Sequence, residues 1–218
     1  GLWNVNNATL VLHGASLTAR GGANANGINN AGSDTTLEAE SVTALGENGS
    51  NSNSGLRNRN GAAVTLRGGS FTGRGGGYAS GILNTDSDTS LEAESAAALG
   101  ENGSNITYGL FNEIGAQATL RGSSFTGRGG GSAYAIFNRG VTLEAENVTA
   151  LSENGSSSNH GLYNTGSATA TADSSQFTGS SNGLYLDSGT VSLAVSQLDG
   201  GATNSSGTLT CFQVYDGS

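Results

Sequence analysis

Gly55-Leu56-Arg57-Asn58, Gly81-Ile82-Leu83-Asn84 and Gly109-Leu110-Phe111-Asn112 follow one another through the middle of the chain, and this phrase decides the fold. It also ends at Asn4, Asn30, Asn138 and Asn164, with Ala135 in place of glycine at one site and Gly27-Ile28-Asn29-Asn30 at another. The seven asparagines are separated by steps of 26 or 28 residues. A further copy, Gly183-Leu184-Tyr185-Leu186, carries leucine in the asparagine slot. A fixed step of this size marks a repeat architecture in which each unit packs on its neighbours.

A second phrase lies inside every step. Leu12, Leu37, Leu66, Leu91, Leu120, Leu143, Ala172 and Leu193 each have an apolar residue five positions later: Leu17, Val42, Phe71, Ala96, Phe125, Val148, Phe177 and Leu198. Units of the type TLRGGSFTGRGGG (65–77) alternate with units of the type TLEAESVTALGENGS (36–50), so the full repeat is about 54 residues and two similar turns of chain. Strand side chains alternate faces. Leucine and asparagine of Gly-Leu-x-Asn therefore share one face, and so do Leu37 and Ala39. Gly, Asn and Ser cluster between the short segments as bend signals. No window of about 11 residues carries a helical apolar stripe. The glycine-rich unit is incompatible with helix, and equivalent slots should share a conformation.

Coils of 22–28 residues with about three short strands each predict an all-β parallel β-helix, a solenoid of about eight coils. Left-handed versions need about 18 residues per coil from hexapeptide units, so a right-handed helix is expected. Residues 1–200 form the solenoid and residues 201–218 a C-terminal strand and tail. Eight coils give a rod about 38 Å long. The chain resembles the right-handed parallel β-helix repeat proteins of bacteria, a group that includes pectate lyases and many extracellular surface proteins. That resemblance covers essentially the whole chain, but one fold hosts many functions.

The asparagine column Asn4, Asn30, Asn58, Asn84, Asn112, Asn138 and Asn164 is read as a structural ladder. Amides stacked about 4.8 Å apart can donate and accept along the column. A second column is expected to hold His13, Glu38, Arg67, Glu92, Arg121, Glu144, Asp173 and Ala194, with signs alternating from Glu38 to Glu144. Arg20, Arg74 and Arg128 with Glu47, Glu101 and Glu153 should form another. Such pairs mainly fix register, because a one-coil slip brings like charges together.

Net charge is −9, with no basic cluster, which argues against nucleic acid as a partner. No apolar run of about 18 residues is present, so no membrane insertion is expected. The chain has no proline, consistent with uninterrupted ladders. Gly1 opens directly on a repeat phrase without an initiator methionine, which reads as a processed or excised piece of something longer. Cys211 is the single cysteine, so no intrachain disulfide can form.

Candidate chemistry is sparse. Asn84-Thr85-Asp86 matches one motif of the pectin-hydrolysing β-helix enzymes, but the further motifs of those enzymes are missing. Glycoside hydrolysis needs two placed carboxylates, and Asp86 with Asp88 on one bend does not supply them. Asp34, Asp86 and Asp88 offer at most a weak calcium site. Tyr108, Tyr134 and His160 share one slot and are read as a stack; no serine or aspartate is placed to make His160 a base. Threonine files along the strands are read as ordinary β-branched sheet residues. No catalytic residue, metal or cofactor is therefore assigned.

The outward slot inside Gly-Leu-x-Asn runs Trp3, Asn29, Arg57, Leu83, Phe111, Phe137, Tyr163, Tyr185. Leu83, Phe111, Phe137, Tyr163 and Tyr185 make an apolar file over about 19 Å, and a tail, a partner or a sugar chain is expected to cover it. The chain reads as a non-enzymatic extracellular or cell-surface structural module of a stalk, adhesin or filament. Self-association end to end or along the aromatic column is expected. A glycan-binding or glycan-processing β-helix protein is the alternative.

Overall fold

The computed structural model describes residues 1–217. All 27 strands lie in three nine-stranded sheets, and no helix occurs among the described residues. Sheet A begins with Leu2–Val5, sheet B with Thr9–His13 and sheet C with Ser16–Arg20. Each coil adds one strand to each sheet in that order, and every pairing is parallel. The chain is therefore a parallel β-solenoid. The segment read as a C-terminal strand and tail supplies the last rung of all three sheets, through Ala202–Asn204, Thr208–Phe212 and Tyr215–Asp216.

One residue turns the corner between sheets B and C in every coil. Gly14, Ser41, Gly68, Ser95, Gly122, Asn147, Ser174, Val195 and Gln213 all have φ between +46° and +67°. This left-handed corner is strained for most L-residues and free for glycine. Its fixed length explains why one five-residue offset survives all loop variation.

The corner also sets a register that differs from the one expected. Leu37 pairs with Leu10 and Val64, whereas Ala39 pairs with Leu12 and Leu66. Alternate units are thus shifted by two residues from an alignment on leucine. A two-residue shift leaves every side chain on its own face, so hydrophobic pattern alone could not detect it. The charged column correspondingly reads His13, Glu40, Arg67, Glu94, Arg121, Glu146, Asp173. Glu38, Glu92 and Glu144 sit one slot earlier and alternate with Thr65, Thr119 and Thr171.

The corrected register shows why the repeat spans two coils. The inward file of sheet B alternates in size, as Leu66, Ala93, Leu120, Ala145. In sheet C, Phe71, Phe125 and Phe177 alternate with Ala44, Ala98 and Ala150. The three phenylalanines are fully buried, each contributing about 1.5–3 kcal/mol of transfer free energy. Large residues stacked on small ones fill these files, beside a sheet A file that is large throughout from Ile28 to Leu184.

Sheets A and C touch backbone to backbone. A Cβ on Gly100 would sit 2.2 Å from Tyr108 O, and one on Gly81 would sit 2.4 Å from Leu99 N. The glycine of Gly-Leu-x-Asn is therefore a close-approach residue inside a strand, not a loop residue.

The asparagine ladder is continuous. Each Nδ2 donates to the next Oδ1 from Asn4 to Asn164, at 2.7–2.9 Å over six steps. The same amides reach the turn carbonyls that lead into sheet B, as Asn58 does to Ala62 O and Ser90 O. Leu186 ends the ladder in the slot after Asn164.

Candidate functional site

The outward face of sheet A is the one surface with unusual chemistry. Register places Trp3, Asn29, Arg57, Leu83, Phe111, Phe137, Tyr163 and Tyr185 in one file, as expected. A second file runs alongside through Ser54, Ser80, Tyr108, Tyr134 and His160. The ladder skips the glycine between the files, at Gly81 and Gly109 for example. The strand bends there and brings residues three apart onto one side.

Together the files make an aromatic slab along the rod axis. Phe137 stacks on Tyr163 at 4.9 Å, Tyr163 on Tyr185 at 5.1 Å, and Phe111 meets Phe137 edge-on at 5.2 Å. Across the files Tyr108 stacks on Phe111 at 4.4 Å and Tyr134 meets Phe137 edge-on at 5.3 Å; within the second file Tyr134 stacks on His160 at 5.7 Å. Contacts of this kind contribute about 0.5–1.5 kcal/mol each beyond area burial. Leu83, Phe111, Phe137, Tyr163 and Tyr185 are consequently half-buried. Part of the cover expected for the file comes from the neighbouring Tyr108, Tyr134 and His160.

Burial controls ionisation here. It pushes the Tyr108 hydroxyl above the ordinary phenol range, with Tyr134 adding to the shift. Burial first, then Asp187 and the neighbouring tyrosines, does the same to Tyr163. Burial lowers His160, whose Nδ1 is buried without a hydrogen-bond partner. A neutral imidazole with no orienting group among the described residues lacks the support of a general base.

The other end of the slab is polar. Asn29 and Ser54 are completely buried, yet Asn29 Nδ2, Asn29 Oδ1 and Ser54 Oγ have no hydrogen-bond partner. Arg57 Nε and Arg59 Nε are likewise buried and unpartnered. A stranded buried group costs about 1–3 kcal/mol, so this cluster is held at a considerable penalty. Burial and then neighbouring Arg59 lower the Arg57 guanidinium, while Asp86 opposes them. Arg20, Arg74, Arg121, Arg128 and Arg139 lie 2.5–3.7 Å from glutamates and are ion-paired. Sequence patterns gave no sign of the cluster, because Asn29 and Arg57 simply interrupt an aromatic file.

The remaining candidates are accounted for locally. Asp34, Asp86 and Asp88 occupy left-handed turn positions. Asp86 Oδ2 accepts the Asn60 N–H at 3.2 Å. No group of three His, Cys, Asp or Glu residues could hold a metal among the described residues. His13 Nδ1 lies 2.9 Å from Glu40, not Glu38. Cys211 is free and exposed on the last rung of sheet B. A trough of about 400 Å³ on sheet B, between Thr119 and Phe212, carries Arg121, Glu144, Glu146 and Asp173 but no nucleophile–base pair.

Comparison with protein-family models, with curated proteins and with solved structures found no match. The fold itself defines the class: a parallel β-solenoid with an asparagine ladder inside and an aromatic slab outside.

Proposed function

We propose that the chain is a non-catalytic structural module, a rigid segment of an extracellular stalk, adhesin or filament. The observation that carries this is the use made of the repeated polar residues. The asparagines are consumed by the buried ladder. Arg20, Glu47, Arg74, Glu101, Arg128 and Glu153 are consumed by a register-fixing file on sheet C. Residues spent on register give a stiff rod of constant cross-section. The resemblance to surface β-helix proteins supports the extracellular setting.

The test is electron microscopy with sedimentation of the purified chain. Straight rods that associate as concentration rises are expected. Cleavage of pectin, alginate or a related glycan that is lost in Asp86→Asn would overturn the non-catalytic assignment.

Glycan binding is a second function, favoured by the slab, since sugar rings stack on aromatic faces. Retention of a glycan by the wild type but not by the Phe137→Ser/Tyr163→Ser variant would favour it over the purely structural role.

A further inference from the structure

Two outward files of sheet C break their own repeat in the same coils. The slot that opens each strand holds serine, threonine or alanine from Ser16 to Thr149, and then Gln176, Gln197 and Tyr215. The slot two residues later alternates threonine with leucine from Thr18 and Leu45 to Leu151 and Thr178, and then places Asp199 where leucine is due. The two departures are joined. Gln176 Nε2 donates to Asp199 Oδ2 at 2.8 Å, Gln197 Nε2 donates to Asp199 Oδ1 at 2.7 Å, and Thr178 Oγ1 donates to Asp199 Oδ2 at 2.9 Å. The preceding coils stack with small residues in one slot and leucine in the other, so coil stacking does not call for this change.

Both glutamines line a trough of about 320 Å³ along the corner between sheets B and C, a size that suits a small ligand. An ionised carboxylate only accepts hydrogen bonds, so each amide turns Nε2 to Asp199 and keeps Oε1 as an oriented acceptor. Thr149 adds a hydroxyl to the lining and Asn147 an amide. Tyr215, the rung partner of Gln197, contributes a ring that is 62% exposed. Val195 also lines the trough, 47% exposed at φ +46°, a left-handed corner that valine disfavours. No Arg, Asp, Glu or His side chain is part of the lining among the described residues.

Oriented amides and a hydroxyl around one open aromatic ring match a sugar, whose hydroxyls pair with the polar groups while a C–H face lies on the ring. Charge narrows the class. Asp199 holds both glutamines, and Asp173 adjoins Ser174 in the lining, so an acidic sugar would meet like charge. We propose that this corner trough binds a neutral saccharide. Gln176 and Gln197 Oε1 accept from its hydroxyls, Tyr215 is its stacking platform, and Asp199 is a positioning residue. The site is separate from the aromatic slab on sheet A and from the structural role assigned above.

Maltohexaose, cellohexaose, mannohexaose and xylohexaose are titrated into the whole chain, with hexagalacturonate as the acidic counterpart. The side-chain amides of Gln176 and Gln197 are followed in nitrogen-15 spectra. Saturable shifts with at least one neutral probe are expected, with a weaker response or none to hexagalacturonate. Tyr215→Ala removes an exposed ring and should bind about tenfold more weakly. Asp199→Leu installs the residue that the alternation calls for and leaves both glutamines in place; it should weaken binding by a similar factor. Phe137→Ser/Tyr163→Ser should bind at this trough like the wild type, which separates the site from the slab. Absence of saturable shifts in the wild type with all the neutral probes would overturn the proposal, whether or not the variants fold. Wild-type affinity in Tyr215→Ala or in Asp199→Leu, or tighter binding of hexagalacturonate than of every neutral probe, would overturn it as well.

Discussion

The asparagine ladder is directional, and this makes its energetics testable at two positions with one substitution. Each Nδ2 donates toward the next coil, so removing a member strands the Oδ1 of the member after it. Asn112 donates to Asn138 Oδ1 at 2.9 Å and accepts from Asn84 at 2.8 Å. In Asn112→Leu, the fully buried Asn138 loses the donor to its Oδ1, while Asn84 keeps Gln117 O at 2.9 Å. The turn carbonyl Ala116 O, 3.3 Å from Asn112 Nδ2, loses that donor too. One stranded acceptor at about 1–3 kcal/mol, plus lost bonds of about 1 kcal/mol, gives a loss of about 3 kcal/mol. Asn164→Leu differs, because the next slot is already Leu186 and no following amide exists to strand. It removes the bonds that Asn164 donates to Ala168 O and Ser188 O and the one it accepts from Asn138, which keeps Thr169 O at 3.4 Å, and it strands no side-chain acceptor, for about 1–2 kcal/mol. Leucine itself fits the slot, as the completely buried Leu186 demonstrates. Urea unfolding, with a common slope for the two variants, measures both losses. Equal losses, or a loss below about 0.5 kcal/mol at Asn112, would refute the directional account.

Two further outcomes are expected. Arg74→Glu puts a carboxylate between its rung partners Glu47 and Glu101; unfolding should show a loss of about 1 kcal/mol in dilute buffer that shrinks in about 1 M salt, because Arg74 is substantially exposed. His160 gives a pH dependence. Burial holds its pKa below the ordinary histidine value of about 6.5, so the unfolded chain takes up the proton first as pH falls. Its contribution is complete above that value and is lost as pH drops toward the folded pKa. Stability curves against pH for wild type and His160→Asn should therefore diverge on acidification through that window, with the variant flatter; parallel curves would disprove the assignment.

Sequence alone disclosed the solenoid because its two strongest signals have a mechanical origin. The asparagine step is the circumference of a coil, and the constant five-residue offset is the one-residue corner at Gly14, Ser41, Gly68 and their equivalents. Register was only half legible. Aligning leucines placed Glu38 beside Arg67, whereas the corner places Glu40 there. Period-two strands make the two alignments equivalent for burial, and only the left-handed corner residue separates them. The role of the in-strand glycines was not legible for a related reason. Gly81 and Gly100 look like bend residues by type, but their need arises from the opposite sheet, which no local pattern encodes. The aromatic file was legible as a file. Its union with Tyr108, Tyr134 and His160 was not, because residues three apart share a side only when the strand bends between them.

The polar cluster and the slab differ from the rest of the molecule in one respect. Core files on sheets B and C alternate large and small with the two-coil period, as Phe71 does with Ala44 and Ala98, whereas the core file of sheet A is uniformly large from Ile28 to Leu184. Ionic files alternate in sign with the same period. The outward file of sheet A follows neither rule. After Trp3 it runs from Asn29 and Arg57 through Leu83 to Phe111, Phe137, Tyr163 and Tyr185, a polar-to-aromatic gradient instead of an alternation. Neither core filling nor charge register requires such a gradient. Alternating Arg and Glu here would have satisfied the pairing seen on sheet C, and it would have left no buried donor unmatched. The rings from Phe111 to Tyr185 stack coil on coil, while Asn29, Ser54, Arg57 and Arg59 keep buried donors unmatched, so the two ends of this face offer different chemistry to whatever lies along it.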